Sequence, residues 1–381
     1  MSLPVTVTFM LTDWIAKGLA DGSFERVGGV IRDVGTKQVV TWLREQGANN
    51  STEKQLEELG RSMQATQRIL QVTNAVSILN LGVSVIGFAV IAQRLKELEK
   101  RLQEAQKLLN NVNRKIDLSF YANFRAAIEL ATNAFTMTKI ENCRSSALQA
   151  INRFLEAEHI YTEYTDIEIE QKSQIADEYL LTLSLAYLAE ARCYLELEEH
   201  DTALRRFQEG SRVIHSRIQK YVELLLTSNP AAYLHPQFKG QIDLRRLTRI
   251  YQWLDPNLDE NAVFDMQRKK LFKLAQDPNK WVESIPAAIW DSEIDWVGKA
   301  IWDDPKPQIY ARLPKTLEVV ESMIETNRRF ESYQTEVQAI SQLGISFHDW
   351  LKLTPSTEIK PDGAELMYII PSKPLDLQSS I

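Results

Sequence analysis

Residues 69–93 have the sequence ILQVTNAVSILNLGVSVIGFAVIAQ, and none of these 25 side chains carries a charge. They lie within residues 51–118, a segment that contains no proline. Apolar and small residues recur there at spacings of three and four, as in a heptad repeat. The pattern predicts one long helix over residues 51–118, with coiled-coil character and an uncharged segment at 69–93.

Two different faces follow one another along this predicted helix. The first has small or polar residues, and the outer positions around it are apolar. This seam consists of Thr73, Ser77, Asn80, Ser84 and Gly87. From Ile91 the seam becomes apolar and the outer positions become charged. The first part is typical of a helix that faces lipid and packs through small residues, and 25 helical residues span about 37 Å, enough for a hydrocarbon core of about 30 Å.

Three interpretations of residues 69–93 remain open at this point. A helix at the centre of a large soluble bundle is also apolar on all sides. Conditional or constitutive insertion into a membrane is the second interpretation. The third is a hairpin bent near residues 80–82, whose tip enters one leaflet.

The rest of the chain predicts further helices and some irregular structure. The positions of proline and glycine, together with the amphipathic spacing, divide this part of the chain into predicted units. The predicted units are 1–50, short helices after an extended start at 5–9; 119–228, four amphipathic helices in hairpins; 229–307, an irregular Trp-rich region with a helix at 261–276; 308–344, a long helix with Pro314 in its first turn; and 345–381, a tail with a short strand at 366–370 that pairs with residues 5–9 or is disordered.

Composition narrows the classes of function. The net charge of −7 gives no long-range attraction for nucleic acid, so no nucleic-acid partner is expected. Cys143 and Cys193 form no disulfide framework or zinc motif, which favours a cytoplasmic protein. No cleaved signal peptide is evident. The spacing Glu156-x-x-His159 lacks the second copy that a di-iron site needs, so we expect no metal, no cofactor and no enzymatic activity.

Four tryptophans within 22 residues form a candidate partner-binding region. Trp281, Trp290, Trp296 and Trp302 stand among acidic residues. Tryptophan is enriched at binding hot spots. The alternative is that a loop-rich subdomain uses these large rings to form its own core.

Several stretches carry resemblances. Tyr187, Ala191, Tyr194, Ala203 and Phe207 resemble a tetratricopeptide helix pair, loosely, because other positions of that motif differ. Residues 25–32 and 79–88 resemble stretches of uncharacterised bacterial helical proteins. The plan of residues 50–200 and 308–343 is similar to that of α-helical pore-forming toxins, although their hydrophobic head usually lies nearer the middle of the chain.

The sequence therefore predicts an all-α protein, an elongated helical bundle with helical hairpins. Our first functional hypothesis is a membrane-associating protein that inserts residues 69–93 and self-assembles through the Thr73–Gly87 seam, as in pore formation or membrane remodelling. The alternative is a soluble interaction scaffold that binds a partner protein and has residues 69–93 in its core.

Overall fold

The computed structural model describes residues 5–11, 13–45, 69–74, 87–109, 119–173, 175–227, 229–235, 238, 242, 244–277, 289, 306–352 and 366–369. This part of the chain is predominantly α-helical and forms a helical bundle, which confirms the predicted class. The helices in chain order are α1 Asp13–Asp21, α2 Phe88–Leu109, α3 Ser119–Ala134, α4 Ile140–Glu170, α5 Ala176–Glu196, α6 His200–Leu225, the 3₁₀ helix η1 Pro230–Leu234, α7 Leu244–Leu254, α8 Glu260–Gln276, α9 Lys306–Leu343 and α10 Phe347–Lys352.

Helix α5 is the centre of the bundle. It packs against α2, α4, α6 and α10, and 19 of its 21 residues are buried. Leucine, alanine and tyrosine fill most of its surface, so the helix is apolar on nearly all sides, as expected for a core helix. The four predicted hairpin helices of residues 119–228 correspond to α3, α4, α5 and α6, and this prediction is confirmed.

The described residues include six strands, which form two small sheets beside the bundle. They are β1 Val5–Met10, β2 Phe24–Val27, β3 Val30–Asp33, β4 Val39–Glu45, β5 Ile69–Asn74 and β6 Leu366–Ile369. Strand β1 pairs with β5, and the order of the second sheet is β2-β3-β4-β6, all antiparallel. The predicted extended start and the strand near 366–370 are confirmed, but β6 pairs with β4 and not with β1.

The prediction of one helix over residues 51–118 is wrong at residues 69–74, the start of its uncharged segment. Residues Ile69–Asn74 form strand β5, whose Thr73 lies opposite Thr6 of β1. β-branched residues are frequent in both strands, as Val5, Thr6, Val7 and Thr8 in β1 and as Ile69, Val72 and Thr73 in β5. Such residues favour strands that have a pairing partner. A short apolar run has no period that separates strand from helix, and the partner strand lies more than sixty residues earlier.

The charged half of the predicted long helix does form, as α2. Ile91, Leu95, Leu98 and Leu102 are fully buried, which confirms the apolar seam from Ile91 onward. The helix begins after Gly87, whose carbonyl oxygen accepts hydrogen bonds from Val90 and Ile91.

Residues 1–50 were predicted to contain short helices, and the structure corrects this. Only α1 is helical among the described residues there, and β2, β3 and β4 form a meander. Gly28 and Gly29 make the two-residue connection between Val27 and Val30. A Gly-Gly pair between apolar residues is a hairpin signal, and here it prevails over helix propensity.

The C-terminal predictions need smaller corrections. Helix α9 ends at Leu343 before Gly344, as predicted, but it begins at Lys306, so Pro314 lies inside the helix and not in its first turn. The region 229–307 contains η1, α7 and α8, of which only α8 was predicted. The tail contains α10, where Trp350 is buried against Trp42 of β4 with ring centroids 5.5 Å apart.

A buried ion pair attaches strand β2 to helix α9. The Arg26 guanidinium donates to both carboxylate oxygens of Glu325 at 2.9 Å, and Arg329 donates to the same carboxylate at 3.3 Å. Burial opposes ionisation of Glu325, but Arg26 and Arg329 prevail and lower its pKa to about 2. The sheet is thereby fixed to the longest described helix of the bundle.

We expect Glu325→Gln to destabilise the protein by about 3–5 kcal/mol, because it leaves Arg26 and Arg329 buried without their anion. In the native protein, the contribution of Glu325 to stability is present above its ordinary pKa and is lost as the pH falls toward 2. Urea unfolding across this pH range measures both effects. Glu156 of α4 is the control, because its ion pair with Arg153 is exposed to solvent. Glu156→Gln is expected to cost less than about 1 kcal/mol. Equal losses for the two variants contradict the assignment.

Glycine is required at position 28 for two reasons. Its φ is +54°, and an added Cβ would lie 2.5 Å from the Arg328 carbonyl oxygen. Gly22 also has a positive φ, of +81°, but nothing lies within 4 Å of an added Cβ there.

We therefore expect Gly28→Ala to be more destabilising than Gly22→Ala. The backbone conformation alone costs about 1–2 kcal/mol at both positions, and displacement of β2 from α9 adds to the loss at Gly28. Thermal unfolding of the two variants makes the comparison, and a larger loss for Gly22→Ala is the contrary result.

Candidate functional site

A cluster of charged side chains lies in the core where α4, α5 and α6 meet. Arg206 of α6 donates to Glu158 of α4, to Glu190 of α5 and to Glu209 of its own helix. Glu158 and Glu190 are buried, whereas Glu209 is partly exposed. The guanidinium also lies 5.3 Å from the centroid of the Tyr187 ring. One arginine thus joins three helices through three carboxyl groups.

Glu158 and Glu190 lie close enough to share a hydrogen bond. Burial and the charge of Glu190 raise the pKa of Glu158 to about 10, against the opposing effect of Arg206. Burial also raises the pKa of Glu190. Two carboxyl groups this close retain a proton between them at neutral pH, so the Glu158 hydroxyl donates and the Glu190 carboxylate accepts. The cluster is enclosed by its helices and holds them together.

A different kind of feature occurs on α8, at the periphery. The Asp259 carboxylate caps this helix by accepting from the Ala262 N–H at 2.7 Å. Val263 and Gln267 are buried against η1 and α7, and Lys270 donates to the Tyr251 hydroxyl at 3.2 Å. Most other residues of the helix are exposed. Helix α8 therefore packs against the rest of the protein through one face only.

The outward face of α8 carries large apolar side chains. Phe264 is 49% exposed, Leu271 38% and Phe272 66%. Nine residues, or two and a half turns, separate the buried Val263 from Phe272, so the two side chains project in opposite directions. Phe264 and Leu271 lie about 100° and 80° around the helix from Val263, so the apolar stripe is a ridge that extends from the flank of α8 to the side opposite the bundle.

Basic residues surround this ridge. Four of the six residues 268–273 are Lys or Arg. Arg268 forms an exposed salt bridge with Asp265 at 3.1 Å, while Lys269 and Lys273 form none with any residue that the structure describes. We call Phe264, Arg268, Lys269, Leu271, Phe272 and Lys273 the α8 face. It combines an apolar ridge with a local excess of positive charge on an acidic protein.

The residues predicted as a self-assembly seam do not form one helical face. Thr73 belongs to strand β5, and Gly87 precedes helix α2. Ser77, Asn80 and Ser84 lie outside the described residues. The candidate partner-binding residues Trp281, Trp290, Trp296 and Trp302 also lie outside them. The structure therefore corrects the seam at Thr73 and leaves the tryptophans as a prediction.

Sequence analysis predicted helix α8 but not its exposed face. The run Arg-Lys-Lys-Leu-Phe-Lys at 268–273 was the available signal. On its own, that run equally fits a helix that buries Leu271 and Phe272. Only the packing of Val263 and Gln267 decides which face is outward.

The described part of the chain lacks two other features that would point to a function. It contains no group of three or more His, Cys, Asp or Glu side chains that could hold a metal ion. None of the helices described has the length and apolar character needed to cross a membrane. Comparison with family models, curated proteins and solved structures found no match to this chain.

The shared proton at Glu158 has a measurable consequence. Because its folded pKa is raised to about 10, its contribution to stability is complete below its ordinary pKa of 4.5 and is lost as the pH rises toward 10. Glu158→Gln mimics the protonated acid. We expect this variant to fold with a stability that depends less on pH between neutral and alkaline conditions, as measured by urea unfolding.

Glu190→Gln is the matched comparison, because it removes the carboxylate that accepts from both Glu158 and Arg206. It should be the more destabilising variant by about 1–3 kcal/mol at neutral pH. The assignment of the proton is incorrect if Glu158→Gln is the worse of the two, or if it keeps the full alkaline pH dependence of the native protein.

Proposed function

We propose that this protein is a helical, non-catalytic protein that associates with anionic membrane surfaces through the α8 face. The observation that carries the proposal is the exposure of Phe264, Leu271 and Phe272 on a helix whose neighbouring side chains are basic. Surface-bound amphipathic helices have this composition, with Phe or Leu in the acyl boundary and Lys or Arg at the headgroups.

The shape of the α8 face favours a bilayer over a protein groove. Helical ligands of proteins bind when an apolar face enters a concave partner. A ridge with lysines on its flank suits a soft, flat interface, because the long side chains of Lys269 and Lys273 reach the phosphate level while Phe272 enters the acyl boundary.

The charge of the α8 face also favours a membrane surface as its partner. Each Lys or Arg near an anionic leaflet contributes about 1 kcal/mol. The net charge of −7 opposes approach over long distances, but screening over about 8 Å at physiological salt restricts the interaction to the local basic residues. The proposed association is therefore peripheral, reversible and sensitive to salt.

This proposal keeps the membrane association of our first hypothesis and changes the element that meets the lipid. The hypothesis relied on a helix over residues 69–93, and Ile69–Asn74 are a strand. The alternative, an interaction scaffold, places an acidic partner protein or a second copy of the chain on the same α8 face.

Co-sedimentation of the full-length protein with vesicles tests the proposal. We expect binding to phosphatidylcholine vesicles that contain phosphatidylserine, weaker binding to phosphatidylcholine alone, and loss of binding with added NaCl. Phe272→Ser should weaken the association about tenfold, because it removes most of one exposed phenyl ring from the contact. Lys269→Gln combined with Lys273→Gln should have at least a similar effect.

Ile140→Ser is the control, since Ile140 is 84% exposed at the start of α4 and has no part in the α8 face. The proposal is ruled out if phosphatidylserine does not increase binding, or if Phe272→Ser binds vesicles as the native protein does. If vesicles are not bound but Phe272→Ser changes the sedimentation velocity of the protein, the membrane proposal is also rejected and the scaffold alternative gains support.

A further inference from the structure

Helix α10 begins against the turn between α5 and α6, residues 197–199. The N–H of its first residue, Phe347, donates to Oε2 of Glu198 in this turn at 2.9 Å. The Phe347 ring is buried, and its centroid lies 4.3 Å from the guanidinium carbon of Arg192 on α5. One turn later, the indole N–H of Trp350 donates to Glu336 of α9 at 2.7 Å. The contact with Glu198 is therefore one of the points at which α10 is attached to the bundle.

The backbone at Glu198 is strained. Its φ is +59°, in the left-handed region where many helices end and where glycine is the usual residue. The Glu198 N–H donates to the Leu195 carbonyl at 3.0 Å, and the Glu199 N–H donates to the Tyr194 carbonyl at 2.9 Å. These hydrogen bonds hold the turn at the end of α5, and the side chain of its strained residue is the one that meets α10.

Two histidines from different helices face the Glu198 carboxylate. Nδ1 of His348 on α10 lies 3.1 Å from Oε1 of Glu198, and Nε2 of His200 on α6 lies 3.0 Å from Oε2. The second ring nitrogen of His348, Nε2, lies 3.3 Å from Oε2 of Glu196 at the end of α5. A carboxylate only accepts hydrogen bonds, whereas a neutral imidazole has one donor and one acceptor nitrogen. Only the protonated form of His348 can therefore donate to both carboxylates.

Glu198 keeps its negative charge over the range in which histidine changes its own. Burial opposes the ionisation of Glu198, but the Phe347 N–H, His348 and His200 prevail and lower its pKa below the ordinary value of 4.5. Histidine gains its proton between about pH 8 and pH 5. The His348 side chain is 56% exposed, so solvent can supply that proton without any change in the fold.

The other charged groups beside this contact are paired with one another. Arg192 and Glu196 of α5 form an ion pair, and Asp349 and Lys352 of α10 form another at 3.1 Å. Each pair is neutral as a whole, which leaves the Glu198 carboxylate to face the two histidines. One added proton balances this charge, and His348 meets two carboxylates whereas His200 meets one.

We infer that α10 is attached to the bundle through a pH-sensitive contact, in which protonation of His348 tightens its hold on the turn between α5 and α6. The proton creates ion pairs that exist only while α10 is attached. The attachment is therefore strongest near pH 5 and weakest above about pH 8. Trp350 of the same helix packs against Trp42 of β4, so the contact also controls how firmly the sheet joins the bundle. It shares no residue with the α8 face and does not depend on the membrane proposal.

Native-state hydrogen exchange of the full-length protein tests the inference at the Phe347 amide, which can be followed by NMR with nitrogen-labelled phenylalanine. This N–H donates to Glu198, so it exchanges when α10 detaches. After correction for the intrinsic effect of pH on exchange, we expect protection about fivefold greater at about pH 5.5 than at about pH 8, as for ion pairs at a protein surface.

Three variants and one control assign the effect. His348→Asn should remove most of the increase in protection at low pH, and His200→Asn should remove less of it, because its ring meets a single carboxylate. Glu198→Gln keeps an oxygen that can accept from the Phe347 N–H but removes the charge, so it should also lose the increase. His159→Asn, at an exposed histidine of α4, is the control and should keep the full effect.

Three results overturn the inference. The first is protection at Phe347 that is equal at the two pH values or greater at the higher one. The second is a His348→Asn variant that keeps the full increase. The third is an equal change at the buried amides of α5, since that result indicates an effect of pH on the stability of the whole protein. Failure of vesicle binding leaves this inference untouched, because the exchange of Phe347 is measured without lipid.

Discussion

The constraint on which the bundle depends is the burial of α5 on nearly all its sides. The charged residues of a helix that is enclosed in this way need partners inside the protein, because an unpaired buried charge costs several kcal/mol. Glu178 at its beginning is paired with Arg101 of α2 at 2.7 Å, and Glu190 is paired with Arg206 of α6. The paired charges of α5 therefore help to fix the positions of α2 and α6. Glu158 brings α4 into the same arrangement, because Arg206 donates to it as well.

The attachment of the β-sheet follows the same rule. Glu325 is a buried carboxylate on α9, and Arg26 of β2 and Arg329 of α9 both donate to it. The burial of this charge is therefore compensated by a residue of the sheet. The turn after β2 lies against the same helix, since an added Cβ on Gly28 would be 2.5 Å from the Arg328 carbonyl oxygen. The ion pair and this close backbone contact together fix the sheet on α9.

The amphipathic pattern predicted the helices that have one polar face and failed where the period was ambiguous. Helices α4 and α6 expose charged residues at regular spacing, and their limits near Gln171 and His200 agree with the prediction. Strand β5 was predicted as helix because its side chains are uncharged and its partner is remote in sequence. The α8 face depends on which side of a helix packs, and the Arg206 cluster brings together Glu158 and Glu190 from two other helices, so neither was visible in a local pattern.

Helix α7 connects the α8 face to the body of the bundle. It packs against α8, and its Arg246 donates to Glu321 of α9 at 2.7 and 2.8 Å. Its Tyr251 hydroxyl accepts from Lys270 of α8 at 3.2 Å. Helix α8 is therefore held on its inner side by a helix that is itself tied to α9, and its outward side chains have a fixed base. A pre-organised surface loses less conformational entropy when it binds, so this attachment favours the association that we propose for the α8 face.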